Sequence, residues 1–149
     1  MADHTAGLRT SRLNNYRVPF LIYGKDKVAA NLVERVASQR DIAPTILDIM
    51  GYSIPPSFTG KLIHKNNNPP YFADYYHAGM LGWIEDDLLV EIPVSDSKKI
   101  TCFDYKSDKI QDKEVTCPEH SINAVNRSLS FTSKQQSLMF SGKLSDFQN

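Results

Sequence analysis

The chain is poor in the features by which soluble enzymes usually declare themselves. Its 149 residues hold only two cysteines and one tryptophan. They contain no G-x-S-x-G elbow, no P-loop and no G-x-G-x-x-G turn, which sets aside the common hydrolase, nucleotide-phosphate and dinucleotide folds. His64, His77 and His120 lie far apart and lack a helical H-x-x-x-H spacing, so each is assigned a surface or packing role. There is no excess charge of either sign: 17 basic residues balance 17 acidic ones. That balance argues against a broad nucleic-acid or polyanion surface. No run approaches the ~18 continuous apolar residues of a membrane helix. No charged-then-apolar leader opens the sequence either, so the chain by itself is expected to be soluble and cytoplasmic.

The two cysteines say more by position than by count. Cys102 and Cys117 flank a polar stretch with turn character. If a hairpin is centred near Lys109 and Ile110, the two lie opposite each other and could be bridged in an oxidising compartment. Two unpaired thiols in a small sheet fit the same pattern, and the sequence leaves both open.

The clearest element present is Ser38 to Gly51, SQRDIAPTILDIMG. Asp41 suits the N-cap of a helix, where a carboxylate accepts from free backbone N–H groups. Pro44 falls in the first turn, where a missing N–H is no loss. Ile42, Ala43, Ile46, Ile49 and Met50 form one apolar stripe at helical period. Gly51 stands where a left-handed residue ends a helix.

Upstream, Val18 to Tyr23 is a continuous apolar run with β-branched and aromatic content, and reads as a buried strand with Pro19 near its start. Val28 to Ala37 fits helix and strand about equally, and is read as a short extended segment. Pro55-Pro56 forbid helix and central strand, so Tyr52 to Gly60 is a loop. Asn66 to Pro70 is turn material and marks a boundary.

From Tyr71 the pattern turns to aromatics and alternation. Tyr71, Phe72, Tyr75 and Tyr76 are assigned to packing at a strand. Met80 to Glu85, Leu88 to Ile92 and Lys99 to Tyr105 read as three short strands, and Val115 to Cys117 as a fourth. Glu85-Asp86-Asp87 is expected to be a solvated turn, since it lacks the D-x-D-x-D-G pattern of a calcium loop. Pro118 to Gln135 reads as a helix with Ile122, Val125 and Leu129 on its buried stripe.

The D-x-x-P-T-x-L-D-x-x-G pattern of Asp41 to Gly51 resembles the segment that follows the last metal-ligand motif in the sulfatase-like branch of the alkaline phosphatase superfamily. That branch includes sulfatases and the lipoteichoic acid synthase, phosphoglycerol transferase and phosphoethanolamine transferase group. Gly60-Lys61-Leu62 resembles the step that closes this part of such domains. The resemblance implies an α/β fold: the C-terminal portion of an alkaline-phosphatase-like domain, with a small antiparallel sheet and a covering helix. Residues 1–65 would complete the α/β part, and residues 66–149 would supply the sheet and helix of the same domain.

Asp3-His4 is the one constellation with metal-site chemistry, a carboxylate beside an imidazole. Neighbouring side chains on a regular strand point apart, so both reach one ion only where a strand breaks into a loop. In the family an Asp-His pair precedes a V-P-hydrophobic strand and then the D-x-x-P-T helix, the order seen here. On that resemblance Asp3 and His4 are ligands of a divalent active-site metal. His in the second position points to Mn²⁺ or Zn²⁺ rather than Ca²⁺, and to the phospho-transferase side. Thr5 departs from the glycine that commonly follows the pair.

The family's nucleophile and its other metal ligands precede that pair, so no catalytic residue is assigned in this chain. The resemblance therefore implies a piece of a metal-dependent transferase or hydrolase that works through a covalent intermediate and is inactive alone. Its partner would be the N-terminal part of the catalytic domain. In the family that domain is membrane-anchored, faces the periplasm or the outside, and acts on lipid-linked or glycan substrates. A non-catalytic interaction or scaffold module built on the same fold is the alternative.

Overall fold

Two short connections set the architecture of the second half. Ala78-Gly79 and Asp86-Asp87 each join strands through two residues, and left-handed φ values at Ala78, Gly79 and Asp86 (48°, 83° and 52°) allow the chain to reverse that tightly. The computed structural model, which describes residues 15–55, 57–66, 70–106 and 113–143, accordingly places β1 (Phe72–His77), β2 (Met80–Glu85) and β3 (Leu88–Pro93) in an antiparallel meander. Two further strands, β4 (Thr101–Asp104) and β5 (Glu114–Val115), extend it to a five-stranded sheet in the order β1-β2-β3-β4-β5. Helix α1 is Ile42–Ile49, preceded by a 3-10 turn over Gln39–Asp41, and helix α2 is Ser121–Phe140. The fold is thus mixed α/β, with the small antiparallel sheet and covering helix that the sequence implies.

Strand alternation sends two sets of side chains to opposite faces. One face carries Phe72, Trp83, Leu88, Val90, Ile92 and Cys102, and packs on Ala124 and Val125 of α2. Phe72 stacks on Trp83 at 4.0 Å between ring centroids, and Phe131 of α2 meets both rings edge-on at 4.9 and 5.9 Å. The other face carries Ile84, Leu89 and Phe103, with Ala73, Tyr75 and Tyr105 at its margin, and is covered by Val36. A sheet apolar on both faces in its middle strands needs cover on both sides, and the segment leading into α1 supplies the second.

Several expectations shift in detail. Helix α2 starts later and runs further than Pro118 to Gln135; of its expected stripe Val125 is buried and Leu129 packs partly buried on the core, but Ile122 is 55% exposed and Ser121, Ala124 and Ser128 complete the buried face. Small side chains let the helix backbone approach the sheet, so its buried face is not its most apolar one. Glu85 is not a solvated turn residue. It ends β2, is buried, and accepts from Trp83 Nε1 at 2.9 Å and Arg127 Nε at 2.8 Å. Asp86 and Asp87 are the turn, and Asp87 pairs with Lys106.

The hairpin that brings the cysteines together is offset from its expected centre, because Cys102 faces Val115 rather than Cys117. Cys117 lies beyond the end of β5 and reaches Cys102 diagonally in a disulfide, with Cα atoms 5.2 Å apart. Lys109 and Ile110 lie outside the described residues.

Val18 to Tyr23 departs most from expectation. It forms no regular strand, and none of the described strands pairs with it. Leu21 and Tyr23 are 84% and 87% exposed, while Phe20 and Ile22 are half-buried. The alternation of a strand is present without a neighbour to complete the ladder.

Candidate functional site

Asp3 and His4 lie outside the described residues, as does everything before Asn15. Among the described residues no group of three or more His, Cys, Asp or Glu side chains could hold a metal ion. The structure does describe the phrase that follows the pair, Ser38 to Gly51, and shows what its residues do.

Asp41 begins α1 but does not cap it with its side chain. Its carboxylate turns back and outward instead. Oδ2 accepts from the Ser38 backbone N–H at 2.8 Å, closing the 3-10 turn. Oδ1 accepts from the backbone N–H of Lys61 at 2.7 Å, twenty residues away. Thr45, one turn further along and fully buried, repeats the arrangement. Its hydroxyl donates to the Asp41 carbonyl at 2.6 Å and accepts from the Ile63 N–H at 2.9 Å. Asp41 and Thr45 therefore bind alternate N–H groups of one extended segment, much as a neighbouring strand would.

Gly60 makes the close approach of that segment possible. A methyl group there would lie 2.1 Å from the Arg40 carbonyl oxygen and 2.8 Å from the Asp41 Cα. Pro44, also buried, has no N–H to leave unsatisfied in this crowded first turn. The D-x-x-P-T phrase and the G-K-L step are thus two halves of one clasp. Burial pushes the Asp41 carboxyl above the usual carboxylate range, against the opposing pull of the Ser38 and Lys61 N–H groups and the Arg40 and Lys61 charges.

Two arginines extend the clasp, and neither was singled out from the sequence. Arg35 donates through Nη2 to the carbonyls of Leu62, Ile63 and Lys65, and its guanidinium lies 4.3 Å from the centre of the Tyr71 ring. Arg40 pairs with Asp74 of β1 and lies against the rings of Phe72 and Phe131, at 5.1 and 4.7 Å. It is the joint between the start of α1, the sheet and α2. Burial lowers the Arg40 guanidinium from its ordinary value, and the Asp41 charge opposes that shift. Only the partners 34 and 27 or more residues away distinguish these arginines from surface cations, so no local pattern could have found them.

His64, assigned to the surface or to packing, binds Asp48 through Nε2 at 2.9 Å, and Lys65 Nζ reaches the same carboxylate oxygen at 2.7 Å. The hydrogen bond from Lys65, followed by the Lys65 and His64 charges, holds the Asp48 carboxyl below its ordinary range despite some desolvation. His77 meets Tyr16 edge-on at 6.3 Å, and His120 precedes α2 without a side-chain cap. Tyr75, stacked on Tyr16 at 4.5 Å, donates its hydroxyl to Glu91 at 2.8 Å.

The stripe of α1 remains largely uncovered. Ile46 and Met50 are 40% and 62% exposed. Together with Ile22, Tyr23, Val28, Ile49 and Tyr52 they line an open apolar groove of about 400 Å³. A wider cleft of about 810 Å³ lies between the segments at Tyr16 to Phe20 and Leu32 to Gln39 and the β1 side of the sheet.

Comparison with known proteins points the same way for the first third of the chain. Residues 1–52 match the Sulfatase family model. Over 65 residues the chain is 40% identical to a 2,3-bisphosphoglycerate-independent phosphoglycerate mutase of Shewanella oneidensis and 38% identical to that of Shewanella sp. (strain ANA-3). In each case the shared region is 43% of this chain and 12% of the relative, so the chain spans a small part of the proteins it matches. No solved structure matches. No described helix is long and apolar enough to cross a membrane.

Proposed function

We propose that this chain is the C-terminal part of a metal-dependent phosphoryl-transfer domain, of the phosphoglycerol or phosphoethanolamine transferase type, in which Asp3 and His4 are two ligands of the active-site ion. The observation that carries the reading is the Sulfatase family match over residues 1–52, which spans Asp3-His4, the apolar segment Val18 to Tyr23 and the D-x-x-P-T helix together. The groove between that segment and α1 supports it from the structural side. Its apolar lining is what an incomplete central layer leaves behind when the chain that covers it is elsewhere.

The donor chemistry fits a divalent ion of the Zn²⁺ or Mn²⁺ kind, since one carboxylate and one imidazole are standard ligands for both. They make up half of a tetrahedral zinc set, and the remaining ligands and the nucleophile would come from the preceding part of the domain. Asp3 and His4 would hold that ion, Asp3 with a compensating negative charge and His4 as the neutral imidazole, and the chemistry it would supply is neutralisation of charge on a phosphoryl group and a lowered pKa for a bound hydroxyl. The clasp of Asp41, Thr45 and Gly60 does no chemistry. It fixes α1 against the segment at Lys61 to Ile63, and so holds one wall of the domain.

The test is calorimetric titration of the chain with Zn²⁺ and Mn²⁺. Stoichiometric binding that is lost in His4→Ala, together with no hydrolysis of a phosphodiester by the chain alone, is the expected outcome. Binding unchanged in His4→Ala overturns the ligand assignment. A second reading, a phosphomutase, is favoured by the 40% identity to a phosphoglycerate mutase. Assaying the full-length protein on 3-phosphoglycerate and on a glycerophosphoryl donor separates the two.

A further inference from the structure

We infer that the Cys102–Cys117 disulfide is a structural latch that keeps α2 docked, and that this chain is built for an oxidising compartment. The inference rests on the sheet and α2 alone, and stands or falls independently of the phosphoryl-transfer reading.

Strand β5 is two residues long and meets β4 through the two pairs Cys102–Val115 and Phe103–Glu114. Such a short edge strand holds weakly by its ladder alone. The chain then passes through Cys117 and Pro118 into Ser121, the first residue of α2. The disulfide is therefore the covalent tie between the sheet and the approach to the helix. Cys102 is 1% exposed and belongs to the same cluster as Trp83, Val90, Ala124 and Val125. Releasing Cys117 loosens β5 and the segment that aims α2, and so weakens the packing of Phe131 on Phe72 and Trp83. The effect reaches the clasp, because Arg40 leans on Phe131.

Burial also decides how the bond responds to thiols. Reduction proceeds by attack of an external thiolate on one sulfur, with the other leaving as a thiolate that takes up a proton. A second external thiol then resolves the mixed disulfide, so two hydrogens are gained by the protein and one disulfide by the reductant. Cys117 is half-buried and is the sulfur open to attack, which makes Cys102 the leaving group. A thiolate deep in an apolar cluster is disfavoured, so the folded chain exchanges slowly. The bond behaves as a fixture of the fold, made when the chain meets a disulfide oxidant, rather than as a rapid signalling switch. A cytosolic glutathione pool works against its formation.

The test uses the whole chain, oxidised and after treatment with a small thiol under mild denaturant. Chemical unfolding is followed by far-UV circular dichroism and by fluorescence of Trp83, the only tryptophan and a direct neighbour of Phe131. Closing a loop of this length predicts that reduction shifts the unfolding equilibrium toward the unfolded chain by roughly 100-fold, with a red shift of Trp83 emission. The Cys102→Ala/Cys117→Ala variant should behave like the reduced chain. If that variant does not fold, reoxidation of the reduced wild-type chain should restore both signals. Production in a bacterial periplasm should give the intact disulfide by mass, and production in the cytosol should give less folded protein. A reduced chain with unchanged midpoint and emission overturns the inference, as does chain from an oxidising compartment that carries two free thiols.

Discussion

Gly60→Ala is the sharpest test of the clasp, because the atoms it strikes cannot step aside. The added methyl would sit 2.1 Å from the Arg40 carbonyl oxygen, 2.6 Å from its carbonyl carbon and 2.8 Å from the Asp41 Cα. All three belong to the backbone at the start of α1, so relief requires the segment and the helix to part by about 1 Å, enough to restore ordinary van der Waals separation. That displacement takes the Lys61 N–H away from Asp41 Oδ1, now at 2.7 Å, and the Ile63 N–H away from Thr45 Oγ1, now at 2.9 Å. A hydrogen bond to a charged acceptor contributes about 1.5–3 kcal/mol and a neutral one about 1 kcal/mol. The narrower conformational freedom of alanine in the unfolded chain returns about 0.4–1 kcal/mol. The expected net loss is thus about 2–3 kcal/mol. Gly24→Ala is the control, since its methyl would meet the Val28 Cγ2 at 3.3 Å, a side-chain atom that can give way. Amide hydrogen exchange at Lys61 and Ile63 reads the clasp directly, and urea unfolding reads the total. Protection at both amides unchanged in Gly60→Ala, with stability within about 0.5 kcal/mol of wild type, would refute the reasoning.

Arg40→Met keeps much of the packing on Phe72 and Phe131 but strands Asp74, and should cost about 2–3 kcal/mol, less than a fully buried pair because both side chains retain some solvent contact. Adding Asp74→Asn should recover part of that loss in urea unfolding, and no recovery would mean that the pair is not coupled. Asp48 carries a pH prediction: its folded pKa is depressed, so its contribution is present above the unfolded carboxylate value of about 3.9 and fades as pH falls toward the lower folded value. Asp48→Asn should therefore flatten stability against pH in that acid window alone. A difference between variant and wild type that persists unchanged below it would contradict the assignment.

The sheet was legible because its signals are local. Short apolar runs at Met80 to Glu85 and Leu88 to Ile92, with turn residues between, mark the two strands and the hairpin that joins them. The misreadings share one physical cause, which is a partner distant in sequence. Glu85 looked like part of an acidic turn because Asp86 and Asp87 follow it, yet Arg127, 42 residues away, holds it in the core. Asp41 had the right position for a helix cap, but Lys61 offered its carboxylate a better use. In α2 apolar periodicity found Val125 and Leu129, but the rest of the buried face is small or polar, so it pointed at Ile122 and passed over Ser121 and Ser128. Of the site, Asp3-His4 falls outside the described residues, whereas the D-x-x-P-T phrase that marks its neighbourhood was legible as a pattern. The sequence did not say why the pattern exists, and the clasp supplies the reason.

That reason bears on how the two halves of the molecule differ. The sheet is largely satisfied: each face carries a buried apolar cluster, buried Glu85 has two donors, and a disulfide ties its last described strand. The α1 side is finished only toward the sheet. There, Asp41, Thr45, Arg35 and Arg40 satisfy backbone and charge at close range. On the opposite side, Ile46 and Met50 of α1 and its end, and Leu21 and Tyr23 of the adjoining extended segment, face solvent, and no strand pairs with that segment among the described residues. An exposed apolar strand is an aggregation hazard that folded proteins ordinarily blunt with charge, proline or cover. Pro19 answers that need at the start of the segment, and charged residues lie only at its ends, at Arg17 and from Lys25 to Lys27. The polar clasp and the bare apolar face lie on the same short helix, so one side of α1 is satisfied within this chain and the other is left apolar and open. On the reading proposed above, in which the chain is part of a larger phosphoryl-transfer domain, that open side is where a further strand and an apolar surface would pack.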